Sequence, residues 1–288
     1  MENFLNAFVS GLISGTLYAV MALGLTIIYG ISRVFNFGHG IVAVMGGYLT
    51  WTFFTNLGVP IFVSILLMLP IMYLFGWFVY RFAIGSLMKK PNADFSTVLF
   101  MLGLGIMLEN IILQIFGPRV KAVPEFYEGM VQIGYIRIKA HEITIIIIVA
   151  VAIILLTQFF KRTRTGQAMR AVAQSIPGAR VVGINIERIF GYTFGLAFMV
   201  TGFSGALLCS KYFMIPHIGW DWMVIGFVIV AFGGMGSIPG AIVGALVLGI
   251  VEGMTTLYMG AVWVWPIWFI MFLILLLLRP QGLVGGRT

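Results

Sequence analysis

The residues of this chain that could do chemistry are few and widely separated. The histidines His39, His141 and His217 lie far apart and have no Asp, Glu or Cys at the spacing of a metal site. The single cysteine, Cys209, excludes an internal disulfide and a cysteine cluster. No Gly-Lys-Ser or Gly-Lys-Thr occurs, so the Walker A motif for binding ATP is missing. We therefore predict no enzymatic, metal or cofactor site, and any ATP chemistry must belong to a partner.

Two acids, Glu109 and Glu252, fall within apolar runs. Either could carry a proton, but a proton relay generally needs more than one group. The alternative is that each lies near a membrane interface or pairs with a neighbour, as Glu109 would with Asn110. The pattern favours this alternative, while a proton-coupled carrier and a channel for a small neutral solute remain open.

Two glycine-rich segments interrupt the apolar runs and supply the candidates for a translocation path. Residues 30–40 read GISRVFNFGHG, and residues 232–240 read FGGMGSIPG. Non-helical backbone within the membrane is tolerated only where protein groups or a water-filled cavity satisfy its hydrogen bonds. The two segments therefore indicate broken or re-entrant helices. A helix beginning at Gly40 could face an anionic carboxylate, although the polar groups could also simply cap and anchor a helix end. The path candidates are Ser32, Asn36, His39, Gly40, Gly233, Gly234 and Gly236.

Composition identifies the elements that must position these residues. The chain has 288 residues, of which 61% are hydrophobic and 9% are charged, and its mean hydropathy is +1.08. This predicts an all-α polytopic membrane protein. A net charge of +8 would suggest nucleic acid in a soluble domain, but most Lys and Arg lie in or near loops, where orientation in the lipid bilayer explains them. We therefore expect no nucleic-acid partner.

The apolar runs predict about eight to nine transmembrane or half-membrane helices. Residues 41–55 and 222–231 are short for a full crossing, and residues 216–221 are predicted to be an external loop. Nine crossings put the N-terminus outside, whereas one re-entrant segment moves it inside. The two glycine-rich breaks also suggest an internal repeat. The mixed-charge segment 117–141 is expected outside, with a short hairpin, and Arg279 and Pro280 end the last helix and place the C-terminus in the cytoplasm.

A basic interruption separates the two sets of apolar runs. Residues 161–188 read KRTRTGQAMRAVAQSIPGARVVGINIER, which carries one acid, Glu187. The positive-inside rule puts this loop in the cytoplasm. Pro177 suits a helix start and Gly183 a helix end, so we predict two short helices joined at residues 175–177. Their small, partly apolar residues form a surface that another protein could grip, although such a loop could also be only a topology signal. The basic residues are Lys161, Arg162, Arg164, Arg170, Arg180 and Arg188.

Three segments resemble one family of permeases. They are GLTIIYGISRVFNFGHGIVAVMGGY (24–48), RTGQAMRAVAQSIPGARVVGIN (164–185) and AFGGMGSIPGAIVGALVLGIVE (231–252). Together they are similar to the LivH-type permease subunits of bacterial ABC importers for branched-chain amino acids. Permeases for urea and short-chain amides are similar as well. The resemblance implies a type II-like importer permease forming a single transmembrane domain, 1–288, in the bacterial inner (plasma) membrane, with 161–188 as a cytoplasmic coupling loop.

The resemblance also implies partners and a mechanism. We expect a second homologous permease subunit, two cytoplasmic ABC ATPase subunits that bind the ATP, and a periplasmic or extracellular substrate-binding protein. Transport of Leu, Ile or Val would proceed by alternating access. Where the general importer pattern opens Glu-Ala-Ala, this chain reads Arg-Ala-Val-Ala from Arg170, so the acidic anchor is missing. The coupling residues implied are Gln167, Arg170, Ala171, Ala173, Gly178, Ala179, Gly183 and Asn185.

Overall fold

The computed structural model describes residues 2–134, 136–279 and 281–284. In this part of the chain it contains eleven helices and one two-stranded hairpin. The elements are α1 (Glu2–Ser32), α2 (His39–Thr55), α3 (Ile61–Leu87), α4 (Ala93–Phe116), β1 (Met130–Ile133), β2 (Ile136–Lys139), α5 (Ala140–Arg162), α6 (Arg164–Gln174), α7 (Ile176–Val181), α8 (Ile186–Lys211), α9 (Ile218–Gly233), α10 (Ile238–Tyr258) and α11 (Ala261–Leu278).

Seven of these helices are long and apolar enough to cross a membrane. With the shorter helices α2 and α9 they make nine membrane or half-membrane segments, which confirms the predicted eight to nine and the all-α polytopic class. The hairpin predicted in the loop before α5 is also confirmed, because β1 and β2 pair antiparallel with Val131 opposite Ile138.

Helices α1 and α8 form the centre of the bundle. Most of α1 and α8 is buried inside the protein, and the two run antiparallel, since Ser14 bonds to the Tyr212 hydroxyl at one end while Gly24 faces Ala197 farther along. Helix α10 packs on the other side of α1. A Cβ atom on Gly15 would stand only 2.8 Å from the carbonyl oxygen of Ala245. Small residues therefore allow these backbones to approach closely.

Each central helix is followed by six non-helical residues and a short helix: 33–38 precede α2, and 212–217 precede α9. The amino-terminal ends of the two short helices meet where Gly40 packs against Gly219. The first connector lies within the glycine-rich break 30–40, whereas the second lies before α9 and outside the break 232–240. The internal repeat stays a prediction.

Two predicted boundaries were wrong. Helix α1 continues through Ser32, since the Arg33 amide still donates to the carbonyl of Tyr29 at 3.0 Å and Gly30 packs against Gly236. Only 33–38 of the segment 30–40 is therefore irregular. The predicted external loop 216–221 is partly helical, because α9 begins at Ile218, where its first turn packs against α2.

The bundle has two ends, which we call the basic face, carrying 161–188, and the hairpin face, carrying β1 and β2. The amino-terminal end of α1 lies at the hairpin face, where the side-chain carbonyl of Asn6 accepts a bond from the Arg137 amide at 3.1 Å. The segment after α11 lies at the basic face, where the Leu283 amide donates to the carbonyl of Phe232. This arrangement agrees with nine crossings. Pro280 lies outside the described residues.

Candidate coupling surface and translocation path

The loop between α5 and α8 folds as predicted, into two short helices joined at Ser175. Three side-chain caps start three successive helices: Thr163 starts α6, Ser175 starts α7 and Asn185 starts α8. In each case the side-chain oxygen accepts a bond from a backbone amide in the first turn, at 3.0 to 3.1 Å. Each cap satisfies a donor that the first turn leaves free. Local sequence therefore sets the bends of this loop.

Helix α6 is held to the bundle by one side. Met169 and Val172 are buried, and Gly166 lies so close to Phe159 that its missing Cβ would overlap the Phe159 carbonyl oxygen. Gln167 and Arg170 face away and are exposed. The loop is thus fixed to α5 while its polar and basic side chains Gln167 and Arg170 stay exposed.

Helix α7 ends in an exposed apolar pair. Val181 and Val182 are 87% and 74% exposed, and the chain then turns at Gly183, which has a φ of +83° and no atom within 4 Å of where a Cβ would lie. The sequence analysis did not predict that Val181 and Val182 would both be exposed. Two consecutive valines before a turn glycine were the available signal.

The predicted coupling residues divide by exposure. Ala179 is buried and accepts a bond from the Ile184 amide, so it packs the loop and does not present a side chain to a partner. Ala171 and Ala173 are half-buried. The exposed members are Gln167, Arg170, Gly178, Gly183 and Asn185.

The basic face concentrates positive charge beyond the loop itself. Of the acids in the described residues, Asp94 and Glu187 lie at this face, and Glu187 is paired with Lys89 at 2.7 Å. The hairpin face carries a more balanced mixture, such as the pair of Lys139 and Glu125. This asymmetry is typical of an inward-facing membrane surface. Outside the loop, the cations of the basic face are Arg33, Arg81, Lys89, Lys90 and Arg279.

The path candidates Asn36 and His39 lie buried at the start of α2. Nε2 of His39 is 2.9 Å from the carbonyl oxygen of Met21, and its Nδ1 is 3.3 Å from the hydroxyl oxygen of Thr201, so this ring ties α2 to α1 and α8. Asn36 accepts a bond from the Gly38 amide, while its own Nδ2 is buried and has no hydrogen-bond partner among the described residues.

The second set of path candidates lies elsewhere. At the basic end of α9 lie Gly233, Gly234 and Gly236. Gly236 packs against Gly30, because a Cβ atom on Gly236 would lie only 3.0 Å from the Cα atom of Gly30. Ser32 is near this end of α1, whereas Gly40 belongs with Asn36 and His39. The structure therefore does not bring the seven candidates together, and their role in a path stays a prediction.

A wholly apolar cavity of about 590 Å³ lies between α1, α3, α5 and α8. None of the predicted path candidates lines it. Its walls include Leu23, Leu66, Val151, Leu196 and Phe203.

The two acids within the bundle have different partners. Glu252 accepts a bond from the Tyr18 hydroxyl at 3.3 Å. Glu109 contacts His217 and Trp220. Asn110 was suggested as a partner for Glu109. Its side-chain amide instead donates a hydrogen bond to the backbone carbonyl of Ile106 in the same helix. Sequence reasoning missed His217 and Trp220 as partners, since they are more than a hundred residues away.

These features define a multi-pass helical membrane protein with a capped two-helix loop on its basic face. The chain belongs to the branched-chain amino acid transport system / permease component family, whose model matches residues 7–278. It is 30% identical to the high-affinity branched-chain amino acid transport system permease protein LivH of Salmonella typhimurium, over 98% of this chain and 96% of that protein. It is 29% identical to the permease protein BraD of Pseudomonas aeruginosa, with the same two coverages.

One solved structure has a related fold. A chain of PsaBC from Streptococcus pneumoniae, in complex with Fab, superposes with a TM-score of 0.50 at 17% identity. The match covers 96% of this chain and 92% of that one. At this identity the likeness concerns the fold alone, and it is consistent with the type II-like architecture expected above.

Proposed function

We propose that this chain is the membrane permease subunit of an ABC importer that carries branched-chain amino acids inward. The observation that carries the proposal is the family match over residues 7–278, joined to the exposed loop on the basic face. The relatives named above are permeases of branched-chain amino acid transport. The chain itself supplies no catalytic site and no cofactor, and partner subunits bind and hydrolyse the ATP.

In this proposal the basic face lies in the cytoplasm of a bacterial cell and the hairpin face lies outside the inner membrane. A second homologous permease completes the translocation path. Two cytoplasmic ATPase subunits bind at the basic faces of the two permeases. A periplasmic or extracellular binding protein delivers Leu, Ile or Val at the hairpin face, and it supplies most of the selectivity.

The coupling step follows from how the loop is attached. Val181 and Val182 fill an apolar groove of the ATPase, and the exposed Arg170 lies at the edge of that contact. Closure of the ATPase pair on ATP pulls α6 and α7. Gly166 transmits this movement to α5 through its close contact with Phe159, and the Asn185 cap transmits it to α8. Because α8 packs on α1 at the centre, the bundle rocks between inward-open and outward-open states.

The proposal is tested by purifying the tagged chain from its native membrane and identifying what remains bound. We expect an ATPase and a second permease. Val182→Asp places a charge in the apolar contact and weakens ATPase binding by about tenfold or more. Val120→Asp is the matched control, because Val120 is also exposed (60%) but lies at the hairpin face.

Retention of the ATPase by Val120→Asp together with its loss from Val182→Asp supports the coupling role. A chain that purifies alone and carries solute by itself would contradict it and favour a carrier or channel. Uptake of labelled leucine against labelled urea by the purified complex then tests the substrate class.

A further inference from the structure

Glu109 of α4 forms a polar station together with the first turn of α9. Its Oε2 accepts a bond from the indole Nε1 of Trp220 at 2.6 Å, and its Oε1 lies 2.8 Å from Nδ1 of His217. A carboxylate has about four acceptor positions, so these two contacts leave others free. The side chain of His217 is 77% exposed, whereas that of Glu109 is 17% exposed. The station therefore opens toward the outside of the subunit.

The station lies at membrane depth. Glu109 is seven residues from the end of α4 at Phe116, or about 10 Å along the helix. The Trp220 ring packs beside Gly105, in the middle of α4, 3.4 Å from where a Cβ would lie. Helix α9 thus begins at about the depth of the middle of α4 rather than at the hairpin face. An acid at this depth is costly in lipid and normally faces protein or a water-filled cavity.

The surface around the station differs from that of the outer helix α11 and of α3 up to Val79. On α3 from Ile61 to Val79, and along α11, all exposed residues are apolar. On α4 the exposed residues include Gly103, Asn110 and Gln114, which recur at intervals of seven and four and so share one side of the helix. On α9, Asp221 is exposed one turn after His217. Glu109 lies about 100° around the helix from this stripe, on the side that faces α9. We call the stripe, residues 103, 110 and 114, together with the neighbouring residues 109, 217 and 221, the polar flank.

We propose that the polar flank faces the second permease across the translocation path, and that the Glu109 carboxylate binds the ammonium group of the amino acid as it passes. This inference rests on the proposed function and adds a binding residue to it. Lipid tails cannot solvate the flank, so a protein partner and water must cover it. The two helices supply only one side of a path, and the site is incomplete without the partner subunit.

The chemistry of the station suits an ammonium ion. Among the described residues, no Lys or Arg forms an ion pair with Glu109, and its neighbour His217 contacts it through Nδ1 at 2.8 Å. An ammonium group brings a positive charge and three donors. The Trp220 bond keeps the carboxylate in place while the exposed His217 side chain gives way. Ile106, three residues and so almost one turn before Glu109, is 48% exposed and offers an apolar surface for a branched side chain.

The binding role is tested by leucine uptake into liposomes that contain the complete purified complex with its binding protein. Glu109→Gln keeps an acceptor oxygen for Trp220 but removes the charge, and we expect uptake to fall by roughly tenfold or more. Glu128→Gln removes the same charge from the exposed loop before the hairpin and is expected to transport like the wild type. Co-purification of all subunits shows that each variant assembles.

The outcomes distinguish a failure of the ammonium site from a failure of the proposed permease function. Equal uptake by Glu109→Gln and the wild type overturns the ammonium site and leaves the permease function standing. A wild-type complex that carries no leucine overturns the function itself.

Exposure to the path is tested independently by cysteine labelling. The one native cysteine, Cys209, is buried, so the wild-type chain gives a low background. Asn110→Cys and Leu67→Cys lie six residues from the hairpin-face ends of α4 and α3, at matched depth, and Leu67 is 44% exposed. A thiol reacts as its thiolate, which forms in water and not in lipid.

With a charged, membrane-impermeant thiol reagent, we expect Asn110→Cys in the complex to react at least about tenfold faster than Leu67→Cys. Leucine with its binding protein should slow the reaction at position 110, and adding Glu109→Gln should remove that protection. Equal rates at the two positions would show that the polar flank does not face an aqueous path and would overturn the proposal.

Discussion

The central helices and the coupling loop are both rich in glycine and alanine, yet these residues act in opposite ways in the two regions. In the core, the Ala43 backbone occupies the space where Gly205 lacks a side chain. In the loop, Gly183 has no neighbour within 4 Å, and what it supplies is a positive φ. Gly205 therefore sets the distance between two helices, whereas Gly183 sets the direction of the chain. Where the loop joins α5, Gly166 packs closely, as a core glycine does.

This difference predicts that the two regions fail differently. Substitutions in the core should disrupt the fold before they affect any partner. Substitutions in the loop should disturb the contact with the ATPase while the bundle remains folded.

The largest effect is expected from Gly205→Leu. Its side chain would overlap the carbonyl group of Ala43, and the two helices would have to separate, at a cost of about 3 kcal/mol. We expect a large fall in melting temperature in detergent, or loss of folded protein on size exclusion. Gly103→Leu is the control, because Gly103 has open space around it. Equal melting temperatures for the two variants would break the distinction between core and surface glycines.

Gly183→Val should weaken ATPase binding while the melting temperature changes little. A β-branched residue at a φ of +83° is strained by about 1–3 kcal/mol, and relieving the strain redirects Val181 and Val182. Gly58→Val is the matched control, since Gly58 also has a positive φ and open space but lies in the loop between α2 and α3. ATPase retention in a pull-down measures the effect. Comparable loss of ATPase from both variants would contradict a specific role for Gly183.

Ser175→Ala removes the cap of α7 and should cost about 1 kcal/mol locally. The first amides of α7 should then exchange with deuterium roughly fivefold faster, while those of α8 stay unchanged. Ser86→Ala is a suitable control, because Ser86 is exposed and caps no helix of the described residues. Unchanged exchange in α7 would show that packing, not the cap, holds the loop helix.

The smallest effect is expected at the hairpin face from Lys139→Met. The hydrogen bond from Lys139 lowers the pKa of Glu125. The pair therefore stabilises the fold above the pKa that Glu125 has in the unfolded chain, and this contribution is lost as the pH falls through its lower folded value. Melting curves at pH 7 should show a slight difference from the wild type that disappears in acid. A difference that grows in acid would contradict the assignment.

Much of the fold could be predicted because it depends on local signals. The lengths of the apolar runs predicted the membrane-spanning helices, and the clustered cations predicted the basic face. Pro177 and Gly183 predicted the two short helices of the loop. The errors occurred where distant contacts decide. The end of α1 packs against a distant segment through Gly30 and Gly236, and α9 starts early because Gly219 meets Gly40.

The candidate sites were less predictable for the same reason. Ala179 and Gly183 are equally small in the sequence, yet Ala179 is buried and Gly183 is exposed. The Glu109 station depends on a helix that lies 108 residues further along the chain. Local patterns contain no information about such contacts. Clustered cations predicted the face on which the loop lies, whereas its role as a coupling surface came from the resemblance to LivH-type permeases and stays a prediction.

The most direct test of the central claim is uptake of labelled leucine by liposomes containing the chain with its partner permease, ATPases and binding protein. We expect uptake that requires ATP, stops without the ATPases and falls sharply in Val182→Asp while Val120→Asp remains active. Leucine uptake by this chain alone, without ATP, would contradict the assignment of the chain as a coupled permease subunit.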